Sequence, residues 1–258
     1  MKLPLLLYGG LTCFYPHPSL RIYRFIPYGL QAPVSTGPNI RIARTWVPTE
    51  PIHWKNNKKF SFFDFGILSS EGDMATVHIC RHGQDEDNRD GLLNGRRDRP
   101  LTALGREQAN RVADKLKSSG VSYDIILSSP LQRAYETACI IASALGKEVQ
   151  KDEDLIERDF GVMTGKPIND IRRLAGENVL QGDKVLYFLD VKEAETFDQC
   201  FSRAARLLER VDNQFAGKRV LFVCHGDIGK MVQAVRKNIT WRDALLLPYI
   251  SNTDIVEL

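Results

Sequence analysis

At 258 residues the chain can form one large domain or two small ones with a substantial core. Its 43% hydrophobic and 26% charged composition is that of a water-soluble globular protein. The formal charge of +3 is unevenly placed: residues 1–73 carry eight Lys and Arg against four acids, whereas residues 74–258 carry 27 against 28. That balance gives a nucleic acid or an anionic membrane nothing to hold, so neither is expected as a partner.

Residues 1–73 differ from the rest. Eight of the twelve prolines lie there, no acid precedes Glu50, and no helical or strand period persists. Proline at this density blocks helices and central strands. Yet the segment holds twelve of the 23 aromatics, including Trp46, Trp54 and the Phe60/Phe62/Phe63/Phe65 cluster, which disordered segments usually lack. Its Arg-without-acid start resembles a mitochondrial transit segment. Lys2 followed by Leu3–Leu7 resembles a signal peptide, but Pro4, Gly9 and Gly10 interrupt it and no A-x-A site follows. The preferred reading takes Met74 as the natural start, because a strand begins right behind it. The expectation is therefore an irregular extension over 1–73 and a catalytic domain over 74–258. The five cysteines, odd in number and without a CxxC pair, suit a reduced intracellular setting with no zinc site. A cytoplasmic location is expected, or a mitochondrial one if the extension is a transit segment.

From Met74 the elements become regular. Ala75–Cys80 reads as a short buried strand that delivers Arg81-His82-Gly83. Thr102 is a good N-cap for a helix with Ala109, Val112, Ala113 and Leu116 on one face, stopped by Gly120. Asp124–Leu127 is a second strand, and Ser129-Pro130 opens a helix with proline at its first position, ending at Gly146. Phe197, Cys200, Phe201, Ala204, Leu208 and Val211 recur at helical spacing. Arg219–Cys224 is a continuous apolar strand followed by His225-Gly226 and a helix from Ile228. Thr253–Glu257 adds an edge strand. Alternating helices and apolar strands predict an α/β fold, three-layered, with a mostly parallel sheet covered by helices on both faces.

In such folds ligands sit beyond the carboxyl ends of the strands. Arg81-His82-Gly83, Ser128–Arg133 and His225-Gly226 all fall there, so three separated segments bring two histidines and two arginines to one sheet edge. Arginine forks match phosphate oxygens, and Arg133 in the first turn of a helix gains from the positive end of its dipole. The chemistry points to a phosphate site.

These residues are also similar to a known family. Arg81-His82-Gly83-Gln84 through Asn88 resembles the R-H-G-x-x-x-x-N signature of the histidine phosphatases, which are phosphoglycerate mutase-like in fold. Asp98–Thr102 with Gly105, Gln108 and Ala109, then Ser128–Ala134 with Thr137-Ala138, resemble its next two blocks. Leu155–Gly161 and Val223–Gly226 resemble its last two, so the likeness covers about 75–258 in the family's order. It implies that His82 becomes a phosphohistidine, that Arg81, Arg133, His225 and Asn88 surround the phosphoryl oxygens, and that Glu157 is the general acid. An acid role needs a raised pKa, for which burial beside Phe160 and the negative charge of the phosphate are the expected causes. No metal or other cofactor is implied. Asp227 is a rival acid, because another branch of the family places a carboxylate beside its second histidine. Gly83 is a further substrate-contact candidate; Arg172 and Arg173 could hold a second anionic group or lie on a solvated helix face.

Two departures bear on the reaction. The family's G-E-[ST] appears as Glu193-Ala194-Glu195-Thr196, without the glycine. The stretch between Glu157 and Glu195 is short, whereas cofactor-dependent phosphoglycerate mutases carry a longer insertion there. The expected activity is hydrolysis of a small phosphorylated metabolite through a phosphohistidine. A phosphoglycerate mutase and a non-catalytic phosphate-binding module are the alternatives. Substrate identity and oligomeric state have no signature in the chain.

Overall fold

The computed structural model describes residues 74–258. The expectations for residues 1–73 lie outside the described residues. A five-stranded sheet is built from β1 (Thr76–Arg81), β2 (Ile125–Ser128), β3 (Val149–Lys151), β6 (Arg219–Cys224) and β7 (Ile255–Glu257). The strand order is β3-β2-β6-β1-β7; all pairs are parallel except β1–β7, which is antiparallel at the edge. A separate two-stranded hairpin joins β4 (Val179–Gln181) to β5 (Leu186–Phe188). The helices are α1 (Glu86–Asp90), α2 (Ala103–Ser119), α3 (Gln132–Leu145), α4 (Ile171–Ala175), α5 (Phe197–Gln214), α6 (Gly226–Arg236) and α7 (Trp241–Leu245).

Strand alternation explains the three layers. Val77, Ile79, Val220, Phe222 and Cys224 point to one face, where they pack with Cys200, Ala204, Leu208 and Val211 of α5 and Ile228, Met231 and Val232 of α6. Cys80, Ile126, Leu221 and Val223 point to the other, against Val112, Ala113 and Leu116 of α2 and Ala138, Ile141 and Ala142 of α3. Because both faces are covered, the central strands carry no polar alternation and read as unbroken apolar runs. A third cluster of Leu93, Phe160, Met163, Ile171 and Phe188 gives the 161–191 excursion its own small core.

Helix ends follow their chemistry. Thr102 caps α2 by accepting from Gly105 N at 3.0 Å, and Gly120 ends it in a left-handed conformation. Thr196 and Gln199 form a reciprocal capping box on α5. The start of α3 differs from expectation. Pro130 precedes the helix, which begins at Gln132, and its cap comes from a distant residue: Asp98 Oδ1 accepts from Gln132 N at 2.6 Å. The last sheet-adjacent helix starts at Gly226 rather than Ile228, directly behind His225.

One close approach fixes the loop after β1. A Cβ on Gly105 would lie 2.0 Å from the Gln84 carbonyl oxygen, and one on Gly83 would lie 2.4 Å from that of Gly105. Neither backbone can yield without moving His82. Gly105→Ala is therefore expected to cost about 1–3 kcal/mol, the usual range for overpacking, and to lower the melting temperature by several degrees. An unchanged melting curve would show that the two segments part freely.

Candidate active site

Adjacent strands β2, β6 and β1 end side by side, and the segments behind them converge. His82 follows β1, His225 follows β6, and Arg133 is the second residue of α3, behind β2. The two imidazole centroids lie 5.0 Å apart. Arg133 Nε donates to His82 Nε2 at 3.3 Å. The sheet order thus performs the convergence expected from three separate strand ends.

The tautomer of His82 follows from its partners. Nδ1 lies 2.7 Å from the Gly83 carbonyl oxygen, which can only accept, so Nδ1 carries the proton and Nε2 keeps its lone pair. Burial, then the charges of Arg133 and Arg81, hold the His82 pKa well below its ordinary value, so the ring is neutral. Gly83 N in turn donates to Thr137 Oγ1 at 3.0 Å, and that hydroxyl donates to the Arg133 carbonyl at 2.7 Å. Gly83 is thereby part of the frame that orients His82. His225 is also buried, with its pKa lowered by burial first and by Arg133 next. Its Nε2 meets Ser129 Oγ at 2.8 Å, while Nδ1 is buried with no partner among the described residues.

Arg133 is fully buried. Its Nη1 donates to the Arg97 carbonyl at 2.6 Å and its Nη2 to that of Gly95 at 2.8 Å, leaving one hydrogen on each terminal nitrogen. Nε also lies 3.1 Å from Asp85 Oδ2. Asp85, likewise buried, caps α1 through Asn88 N and accepts from Asn94 Nδ2 at 2.5 Å. Arg81 Nη1 donates to the Tyr249 hydroxyl and, at 2.9 Å, to the Ile250 carbonyl; its buried Nε has no partner among the described residues. Asn88 Oδ1 accepts from Asn252 Nδ2 at 3.2 Å, and the same amide donates to the His82 carbonyl at 2.8 Å.

The Glu157 carboxyl meets the first turn of α6, the helix that follows the second histidine. Its Oε1 accepts from Arg158 N at 2.8 Å and Ile228 N at 3.1 Å, and its Oε2 from Asp227 N at 3.2 Å. Its pKa is raised, first by burial and then by the Asp227 carboxylate. Burial is thus the larger cause, as expected, and the charge beside the carboxyl is that of Asp227. The carbonyls of this segment are gripped as well: Arg203 Nη1 donates to Asp154 and Ile156, both at 2.7 Å, and Arg96 Nε donates to Glu157 at 3.1 Å. Arg203 and Arg96 both pair with Glu195, the acid of the motif that lacks its glycine.

Arg172 and Arg173 are exposed on α4, and Arg173 pairs with Asp170 at 2.8 Å. No contact joins either to the His82 cluster among the described residues. Asp85, Asn94, Tyr249 and Asn252 are the site residues that motif reading passed over, while Thr137 lies in a matched block without an assigned role. Only Asp85 had a signal, as an acid inside the R-H-G-x-x-x-x-N stretch; Tyr249 and Asn252 enter through the return of the chain to the edge strand. No group of three or more His, Cys, Asp or Glu is placed to hold a metal among the described residues, nor is any helix there long and apolar enough to cross a membrane.

Comparison with known proteins agrees with this geometry. The model of the histidine phosphatase superfamily (branch 1) matches residues 77–258. Phosphoglycerate mutase-like protein 4 of Arabidopsis thaliana is 34% identical over 62% of this chain and 70% of its own. A 2,3-bisphosphoglycerate-dependent phosphoglycerate mutase of Rhizobium rhizogenes is 31% identical over 70% of this chain and 89% of its own. Among solved structures, phosphoserine phosphatase of Entamoeba histolytica in complex with 3-phosphoglyceric acid superposes with a TM-score of 0.57 at 31% identity, covering 71% and 90% of the two chains.

Proposed function

We propose that this chain, which belongs to the histidine phosphatase superfamily, hydrolyses a small phosphorylated metabolite by way of a phosphohistidine, with 74–258 as its catalytic domain. The observation that carries the reading is the pairing of a neutral His82, its Nε2 lone pair kept by the Gly83 carbonyl, with a buried carboxyl of raised pKa at Glu157.

His82 Nε2 attacks phosphorus while the bond from phosphorus to the ester oxygen breaks, and Glu157 gives its proton to that oxygen. Among the described residues, Arg133 has one hydrogen free on each terminal nitrogen, and Arg81 a free Nε. Together with His225 and Asn88 they supply the donors that the three phosphoryl oxygens need as charge shifts between them. Water then attacks the phosphohistidine. Glu157 takes one proton from it, and inorganic phosphate leaves with His82 restored. A site built only to bind phosphate has no use for a proton donor, which argues against the non-catalytic alternative. No step calls for a metal ion, so turnover is expected to continue with EDTA present.

The test of the acid is leaving-group dependence. Glu157→Gln should slow alkyl phosphates ~10²–10⁴-fold, the usual worth of general acid catalysis, and an aryl phosphate far less, because its oxygen scarcely needs a proton. Equal losses on both would move the role elsewhere. A larger leaving-group effect in Asp227→Asn would hand it to that residue.

A mutase is the second reading, and one finding favours it. The Rhizobium rhizogenes mutase aligns over 89% of its own length with this chain. It therefore has little room for a longer insertion, and the shortness of the 158–194 stretch does not separate the two reactions. Phosphate release does. Free inorganic phosphate formed without a bisphosphorylated activator supports hydrolysis; a product that keeps its phosphate at a new position, formed faster than free phosphate, supports the mutase.

A further inference from the structure

Three backbone N–H groups and the positive end of α6 all favour the ionised form of Glu157. A proton donor needs the opposite bias. Burial supplies part of it. The rest must come from charge, and the charges facing this carboxyl do not all act in that direction. Arg133 from α3 and Arg203 from α5 stabilise the anion, as their own interactions with Glu157 show. The Cys224 thiol at the end of β6, the Cys200 thiol of α5 and the Tyr187 phenol of β5, all pushed up by burial, and His225, pushed down by it, are neutral. Asp227 is the carboxylate that opposes the two arginines.

Asp227 is interlocked with Glu157 through the backbone. Asp227 N donates to Glu157 Oε2, and Arg158 N donates to Oε1. The Arg158 side chain then turns to the other acid: its Nε meets Asp227 Oδ2 at 2.7 Å. That guanidinium is only 1% exposed. It lies over the rings of Phe188 and Phe197, 4.3 and 4.2 Å from their centroids, and its terminal nitrogens donate to the carbonyls of Glu195 and Phe188. Burying an arginine this deeply is costly unless it is paired, and among the described residues its carboxylate partner is Asp227, not Glu157.

Two neighbouring buried carboxyls do not both ionise freely; one tends to keep a proton. The pairing with Arg158 decides which one. We propose that Asp227 is a positioning residue for the general acid: held as the charged member of the pair by Arg158, it keeps the proton on Glu157. The proposal rests on the reading of Glu157 as proton donor. It assigns to Asp227 and Arg158 no contact with the substrate.

The test is the pH profile of the full-length chain on glycerol 3-phosphate and on p-nitrophenyl phosphate. Glu157 must be protonated to act, so kcat/KM for the alkyl ester falls as pH rises through its titration. Asp227→Asn removes the opposing charge and should move that alkaline limb to lower pH. A displacement of about one unit gives about a tenfold loss on the alkaline side of the limb, with little change on its acid side and a smaller effect on the aryl ester. Asp227→Glu, which keeps the charge, should restore the limb. Asp227→Ser, neutral and well suited to a helix start, repeats the test if the Asn variant folds poorly. A limb that stays in place in both neutral variants, or a loss that is uniform across pH, would overturn the proposal. If Glu157→Gln slows both esters equally, the proton-donor assignment fails and this proposal falls with it. A selective loss in Glu157→Gln with an unmoved limb in Asp227→Asn overturns only the role of Asp227.

Discussion

Replacing His82 by Ala is expected to reduce turnover by on the order of 10⁶-fold, the scale of loss when a covalent nucleophile is removed from a hydrolase. The expectation rests on the one ring nitrogen that the fold prepares for attack. Gly83 holds Nδ1 as the donor, so Nε2 keeps its lone pair, and a neutral ring is maintained by burial and two nearby arginines. His225 is the control, because its Nε2 meets the Ser129 hydroxyl, which can donate or accept and so does not fix its tautomer. Incubation with labelled substrate and a quench without acid should trap label that is acid-labile and base-stable, the signature of a phosphorus–nitrogen bond. The label should vanish in His82→Ala. Label that persists there but disappears in His225→Ala would exchange the roles of the two histidines. Label that persists in both would end the phosphohistidine mechanism.

Arg133→Met should be the most destabilising single change in the site. It leaves Asp85 as a buried charge without its cation and strips the donor from the Gly95 and Arg97 carbonyls. Breaking a buried pair from one side typically costs about 3–5 kcal/mol. For a domain of this size that lowers the melting temperature by on the order of 10 °C. Burial already raises the Asp85 pKa, with Arg133 as the main opposing charge. Once Arg133 is gone the folded state will bind a proton at Asp85 more readily than the unfolded chain does. The defect should therefore shrink as pH falls through the raised Asp85 titration, and Asp85→Asn in the same chain should recover part of it. Arg173→Ala offers the contrast, since an exposed pair is worth about 0–1 kcal/mol. Equal losses in the two variants would mean that Arg133 does not bear the load its burial implies.

Much of this architecture is written locally. The apolar runs of β1 and β6, the threonine caps of α2 and α5, and the glycine stop at 120 are properties of short stretches, set by side-chain periodicity and by backbone groups that need partners. So are the chemistry-bearing residues at strand ends. His82, Arg133 and His225 could be named before any coordinates, because parallel sheets deliver such positions to one edge. What followed from the chain alone was thus the fold class, the family likeness and the residues of the proposed reaction. Their environment did not follow, because it depends on groups far apart in sequence. Asp98 caps a helix 34 residues away, Asn252 reaches the His82 carbonyl across 170, and Arg158 meets Asp227 across 69. The tautomer of His82, the burial of Arg133 against Asp85 and the choice of Asp227 as the charge beside Glu157 are all of this kind. Periodicity and motif spacing determine which residues reach the site. Only tertiary packing decides their proton affinities, since those depend on how water is excluded and which charges are left close together once it is gone.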